Sequence, residues 1–285
     1  MDNSETMHFT LTFCALKASA YNRNMPFGGM NMKKLFWLGA LVLVLGSFSL
    51  AQQYRTFPEI KASGKILIGT EGQFPPFNYF DDNNQLKGFD IDIGNAIAKQ
   101  LGLEPEWKAH AWDTMLIALN QGRFDFVIAS HTITEERAKA VDFTKPYYCT
   151  GNVIVSRPGG PTMPADLKGK VIGAQLGTTF EEFAKQFEAK EIKTYQTNPD
   201  AVQDLMMGRI DAWITDQFTA LEAIQSRDLD LQISGLLNTE QIGMAVAKGN
   251  SLLLAALNQA LDEIQANGVY EQISMKWFGK DIRCK

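Results

Sequence analysis

Ser130, Thr132, Thr134 and Arg137 lie in one short stretch, Ala129-Ser130-His131-Thr132-Ile133-Thr134-Glu135-Glu136-Arg137. A guanidinium offers two parallel N–H donors that match a carboxylate, and hydroxyls add groups that donate or accept. The stretch follows an apolar strand at residues 124–129. It runs into a helix start, with Thr134 as N-cap and two acids in the first turn. Hydroxyls, a backbone turn and an Arg thus converge just past the carboxyl end of a strand, where open α/β sheets hold small ligands. Two readings stand: an anion-binding corner, or a surface loop in which Arg137 pairs with Glu135 or Glu136.

The elements that must position this stretch alternate between strand and helix, which predicts an α/β chain with parallel sheets. Lys65–Thr70 is a short apolar strand. Glu71-Gly72-Gln73-Phe74-Pro75-Pro76-Phe77 follows, held out of a helix by two prolines. Gly88-Phe89-Asp90-Ile91-Asp92-Ile93 leads into a helix with Ile93, Ile97 and Leu101 on one face. Asp90 and Asp92 read as its cap and first-turn acids, with no chemistry assigned. After a strand at 106–109, Asp113 is expected to cap the next helix, with Trp112 at its mouth. Arg157-Pro158-Gly159-Gly160-Pro161 breaks the pattern, which then starts again. A strand at 170–174 precedes Gly177-Thr178-Thr179, which opens a helix through Phe187. Asn198 caps a helix with Pro199 at its first position. A strand at 212–215 ends at Asp216, placed to cap the helix from Gln217, and a further strand is expected at 229–233. Residues 242–247 are apolar and extended, and helices at 251–267 and 269–277 close the chain. Two α/β units with extended runs flanking the second suggest one lobe inserted into another.

The 285 residues are 45% hydrophobic and 21% charged, ordinary for a globular protein. A net charge of -5 without a basic stripe argues against general nucleic-acid binding. Met32-Lys33-Lys34, the apolar run 35–45 and Ser49-Leu50-Ala51 read as a secretory signal peptide at 32–51, cut after Ala51. Its apolar run is short for a membrane span, and Gln52-Gln53 follow it. Residues 1–31 read as an extension from a translation start set too early, with Met30 or Met32 the true start. No Cys stands at the cut, so no lipid anchor is expected and the mature chain is placed in the periplasm. Cys149 and Cys284 survive the cut; one disulfide or two free thiols both remain open. The histidines are His8, His110 and His131, and no metal-ligand spacing emerges. His131 reads as structural rather than as a ligand, and no cofactor is expected.

In this order, Gly88-Phe89-Asp90-Ile91-Asp92-Ile93 with Ile97-Ala98, Thr132-Ile133-Thr134-Glu135-Glu136-Arg137, Gly177-Thr178-Thr179 and Lys276-Trp277-Phe278-Gly279 resemble the signature segments of a known family. It is the amino-acid-binding proteins of bacterial ABC importers, family 3 of the solute-binding proteins, and the likeness spans nearly all of residues 60–280. The resemblance implies the type II periplasmic-binding-protein fold, two lobes joined by a two-stranded hinge. Lobe 1 would be 60–147 plus 243–285, lobe 2 would be 152–237, and the hinge 148–151 and 238–242. It implies that Arg137 holds a ligand carboxylate, with Thr132 and Ser130 contacting carboxylate and ammonium. Thr178 and Thr179 would complete the carboxylate site through backbone N–H groups. Asp216 would take the α-ammonium, Phe74 and Trp112 would sandwich the side chain, and Glu71 would read its tip. Gln175 is a further lining candidate. Phe74 and Trp112 also fit as plain core residues, Glu71 as a partner for a surface Lys, and Asp216 as a helix cap.

A zwitterion needs an anion site and a cation site a few Å apart. Arg137 with Thr178-Thr179 supplies one and Asp216 the other, from different lobes, so a ligand bridging them would favour the closed form. Glu71 beside aromatic faces favours a cationic side chain, so arginine, lysine or histidine is expected first and glutamine next. The expected partners are a free L-amino acid and a membrane-embedded ABC permease, with a monomeric chain. The alternative is an exported enzyme on the same fold, a cyclohexadienyl or prephenate dehydratase, with Glu71 or Asp216 as its acid.

Overall fold

The structure is a computed structural model that describes residues 54–284. The expectations on residues 1–31, on the leader 32–51 and on its cut after Ala51 fall outside them. Helix α1 (Phe57–Ser63) precedes β1 (Lys65–Thr70), the second strand in the order of the first sheet. The proline-rich loop after β1 folds into a small antiparallel sheet of β2 (Gln73–Phe74), β3 (Asn78–Phe80) and β4 (Leu86–Lys87), with Pro75–Pro76 in cis. After helix α2 (Phe89–Gln100), β5 (Glu104–Ala109) pairs in parallel with one side of β1. Helix α3 (Met115–Asn120) then leads to β6 (Phe126–Thr132), which pairs in parallel with the other side. Every residue of β6 is buried, as befits an inner strand covered on both faces.

Helix α4 (Glu135–Ala140) and β7 (Val141–Phe143) follow, and β8 (Tyr148–Thr150) is the last strand before the chain leaves this sheet. In the second sheet, β9 (Asn152–Ser156), β10 (Val171–Gln175), β11 (Glu191–Tyr195) and β12 (Ala212–Asp216) alternate with α5 (Thr179–Ala184) and α6 (Asn198–Met206). Helix α7 (Gln217–Ser226) and the edge strand β13 (Gln232–Ile233) complete it, in the order β11-β10-β12-β9-β13. Strand β14 (Glu240–Ala247) returns to the first sheet, giving β5-β1-β6-β14-β7 with β8 also on β14. Helices α8 (Ser251–Ala266) and α9 (Val269–Phe278) pack back on α2. Each sheet therefore holds three parallel strands with the first of them in the middle, and an antiparallel strand beside the third. This is the two-lobed α/β arrangement.

The crossings lie between β8 and β9 and between β13 and β14. Thr150, Cys149 and Tyr148 pair with Glu240, Gln241 and Ile242, while Leu237 N–H donates to Asn152 O at 2.9 Å. Gly151 sits where the two segments pass. A Cβ there would stand 1.9 Å from the Asn238 carbonyl oxygen, so only glycine fits. The Cys149–Cys284 pair is a disulfide, and Cys149 N–H also donates to Ile282 O at 3.1 Å, binding β8 to the C-terminal segment.

Several local expectations are corrected. The third strand runs on to Thr132, so Ser130 and Thr132 belong to the strand and not to a loop beyond it. The backbone of Ser130 is left-handed at φ 56, and the pairing of β6 with β14 shifts between Gly243 and Ala245. Asp113 does not cap; it lies in a 3-10 turn, Trp112–Thr114. Thr197, not Asn198, caps α6, because Asn198 is buried and bonds Gln175, Trp213 and Thr215. Helix α5 stops at Ala184, short of Phe187, and the strand expected at 229–233 shrinks to its last two residues. Asp90 is no helix cap: its buried carboxylate accepts from Asn78 Nδ2, Ser130 Oγ and the Tyr147 hydroxyl. Asp92 ties α2 to α9 by accepting from Lys276 Nζ at 2.6 Å and Trp277 Nε1 at 2.7 Å.

Candidate functional site

The carboxyl ends of β1, β6 and β10 carry Glu71, Ser130, Thr132 and Gln175, and these meet across the lobes. Gln175 Nε2 donates to Glu71 Oε1 at 2.5 Å, and Thr132 Oγ1 lies 3.3 Å from Thr179 Oγ1. Glu71, Phe74, Trp112, Ser130, Thr132, Gln175, Thr178, Thr179 and Phe180 line one cavity of about 10 Å³. That is room for roughly one water molecule, so the two lobes are shut on each other at this point. Glu71 and Trp112 also line an adjoining chamber of about 300 Å³, with Gln73, His110, Gln196 and Thr197 on its walls.

Arg137 is held as the N-cap predicts, since its N–H bonds Thr134 Oγ1 at 3.2 Å. Its guanidinium spans both lobes, donating to Thr132 O at 3.0 Å and Gly177 O at 3.1 Å, and lies 5.5 Å from the Trp112 ring centroid. Burial lowers it to about 10, so it stays charged at neutral pH. Neither Glu135 nor Glu136 is its partner in these bonds. His131, behind it, stacks on Trp112 at 3.9 Å and 15°. Burial, with Arg137 nearby, holds its imidazole well below its usual range, hence neutral. His131 is thus the support of the Trp112 ring.

Asp216 performs its helix-capping role. Its Oδ1 accepts from Phe218 N–H at 2.7 Å and Thr219 N–H at 3.0 Å, and Oδ2 accepts from the Thr150 hydroxyl. It is not among the residues lining the small cavity. Burial pushes its carboxyl up to about 7, against the pull of those hydrogen bonds, and the charge of Glu240 adds to the rise. Glu71 is likewise raised to about 7 by burial, partly offset by the bond from Gln175, and its Oε2 has no partner among the described residues. Phe74 is buried and stacks on Phe77 at 5.4 Å while still lining the cavity, so its core and lining roles coexist.

Glu240 is the site residue that sequence reasoning missed. It sits at the first position of β14, is 7% exposed, and accepts from Thr132 Oγ1 at 2.8 Å and Thr179 Oγ1 at 3.1 Å. The one signal available was an acid just ahead of the apolar run at 242–247, beside a predicted crossing.

Two sheets with their carboxyl ends turned on a shared cleft, and strands crossing between them, define a two-lobed ligand-binding protein. The comparisons agree: residues 66–280 match the family model for bacterial extracellular solute-binding proteins, family 3. The chain belongs to that family. It is 38% identical over 229 residues to the L-cystine-binding protein TcyJ of Escherichia coli, covering 79% of this chain and 86% of that one. It is 34% identical to an L-arginine-binding protein of Pseudomonas aeruginosa, covering 88% and 98%. Among solved structures, an ancestral arginine-binding protein bound to glutamine matches with a TM-score of 0.73 and 43% identity, covering 76% of this chain and 99% of that one. This protein is thus an amino-acid-binding solute-binding protein of the ABC-transporter type, and the relatives named are binding proteins.

Proposed function

We propose that this protein captures a cationic or polar L-amino acid by closing its cleft and hands it to an ABC permease outside the cytoplasmic membrane. Arginine, lysine and histidine are favoured, and glutamine comes next. The observation that carries this reading is Glu71: a buried carboxylate with one oxygen unpartnered among the described residues, lining both the cleft and the outer chamber. Left without a cation there, it is pushed towards neutrality; a guanidinium or ammonium tip would restore its charge. Arg137 takes the α-carboxylate with donors left over from its two carbonyl bonds, helped by the backbone at Thr178 and Thr179. Phe74 and Trp112 flank the side chain. Ser130, Thr132 and Gln175 line the head of the site, and Asp216 adds negative potential behind it. Asp216 is committed to capping α7, which speaks for binding and against use as a general acid. Among the described residues no helix is long and apolar enough to cross a membrane.

A second reading rests on the 300 Å³ chamber. A longer ligand with a second amino-acid head, as in cystine, would reach past Glu71 into it. The test is a thermal-shift panel of the twenty amino acids plus cystine on residues 52–285. A ligand at 100 times its Kd stabilises the native state by about 2.7 kcal/mol. Cationic amino acids are expected to raise the melting point most. A panel in which none does so defeats the proposal, and a shift confined to cystine selects the second reading.

A further inference from the structure

We propose that the groove between strand β3 and helices α6 and α7 is a second binding site, separate from the cleft, for an organic ammonium with a flat apolar body. The groove encloses about 390 Å³, the size of a small-molecule pocket, and shares no residue with the small cleft cavity. Phe80 alone is common to it and the outer chamber. Tyr79, Phe80 and the turn at Asp81-Asp82 form one wall, and α6 and α7 of the second sheet form the other, so an occupant bridges the two lobes.

Along α7, Thr219, Glu222, Ala223 and Ser226 recur at helical spacing and make up its face towards the groove. Thr219 is 2% exposed, yet its hydroxyl has no hydrogen-bond partner among the described residues. A buried polar group left unmet costs free energy that a donor on an occupant would restore. Glu222, one turn further on, makes no hydrogen bond or ion pair among the described residues. Its charge is felt across the groove: burial raises the Tyr79 phenol above its usual range, and Glu222 adds to the rise. One ammonium group can therefore reach the Thr219 hydroxyl and the Glu222 carboxylate from the same side. Asp82 adds a further carboxylate and Asp81 is already matched by Lys87, so free acids exceed the one lining cation, Arg227. The rest of the wall suits an apolar body. Trp213 is fully buried and its Nε1 is taken by Asn198 Oδ1 at 3.2 Å, so what it offers is ring surface. Aromatic faces of this kind cover a flat apolar group and attract a cation.

The test titrates phenethylamine and its neutral isostere 2-phenylethanol into wild type, Glu222→Gln and Thr219→Val by calorimetry. Wild type is expected to bind the amine about tenfold tighter than the alcohol, the scale of a hydrogen bond to a charged group. Glu222→Gln should lose that preference and leave the alcohol unchanged. Thr219→Val keeps the shape but removes the buried hydroxyl, and should weaken both probes by about fivefold while the amine stays preferred. Equal loss of both probes in Glu222→Gln would mark a merely structural effect and overturn the inference. Amine binding that neither substitution moves places the probe elsewhere, the cleft included, and overturns it too, as does no binding by wild type at millimolar concentration. No amino acid enters the titration, so the reading of the cleft can fail while this site stands, and the reverse.

Discussion

Replacing Glu71 by Gln should make the unliganded protein more stable above neutral pH and leave it nearly unchanged in acid. The Glu71 carboxyl titrates at about 7 where it is buried, against 4.5 when free. A group whose folded pKa is raised contributes stability that is fully present below pH 4.5 and is lost as pH rises through 7. At 1.36 kcal/mol per pH unit, that interval amounts to roughly 3 kcal/mol. The amide keeps an oxygen for Gln175 Nε2 and carries no charge to desolvate, so Glu71→Gln should recover most of this at pH 8. Opening of the cleft lets Glu71 rehydrate and caps the gain at the cost of parting the lobes. The assay is thermal unfolding of both proteins between pH 4.5 and 8.5. The difference in melting point should grow from near zero to several degrees, at about 2–4 °C per kcal/mol for a chain of this size. Asp216, raised to about 7 as well, gives a residual slope of the same sign in both. Parallel melting curves across the whole interval would refute the burial argument. With a cationic ligand the order should reverse: wild type gains affinity as pH rises through 7 and Glu71→Gln does not, which calorimetry at pH 6 and 8 would show.

Arg137→Ala should weaken every α-amino acid by about 100-fold or more, since it removes the charged donors left for the carboxylate; micromolar binding in calorimetry would place the carboxylate elsewhere. Cys149→Ser opens a closure spanning 135 residues and, on the chain-entropy account, should cost about 5 kcal/mol of stability in denaturant titration without changing ligand preference. Gly151→Ala forces the two crossing segments apart by its contact with Asn238 O and should destabilise by roughly 2 kcal/mol or more, read from the urea midpoint.

Features set by neighbours in sequence were the legible ones. Thr134 caps α4 as its type and spacing indicate, and the closing helices run to within a residue of the expected ends. Strand and helix alternation, read with the ordered motifs, led to the right fold class. Features set by partners far along the chain were not legible. Asp90 is a first-turn acid of α2, as its position indicates, but its carboxylate's partners Asn78, Ser130 and Tyr147 lie elsewhere along the chain. Glu240 has no local pattern at all, because its partners lie at Thr132 and Thr179, in two different lobes. The left-handed backbone at Ser130 is likewise imposed from outside, by a register shift against β14 and by the bond from its N–H to the Tyr147 hydroxyl. His131, opaque as a lone histidine, makes sense only with Trp112 stacked on it.

The disulfide from Cys149 to Cys284 also decides which part of the machine is the frame. It clamps β8 to the chain's tail one residue before Thr150 and two before Gly151, so the first lobe is fixed right up to the crossing. A closing rotation has no slack to draw from that strand. On the cleft-closing reading proposed above, it would be taken up in the few peptides around Gly151 and Asn238, with the body that begins at Asn152 as the rotor and everything welded to the tail as the stator. A short pivot of this kind passes little sideways play to the cleft, and Thr132 and Thr179 can meet Glu240 in the same register at every stroke.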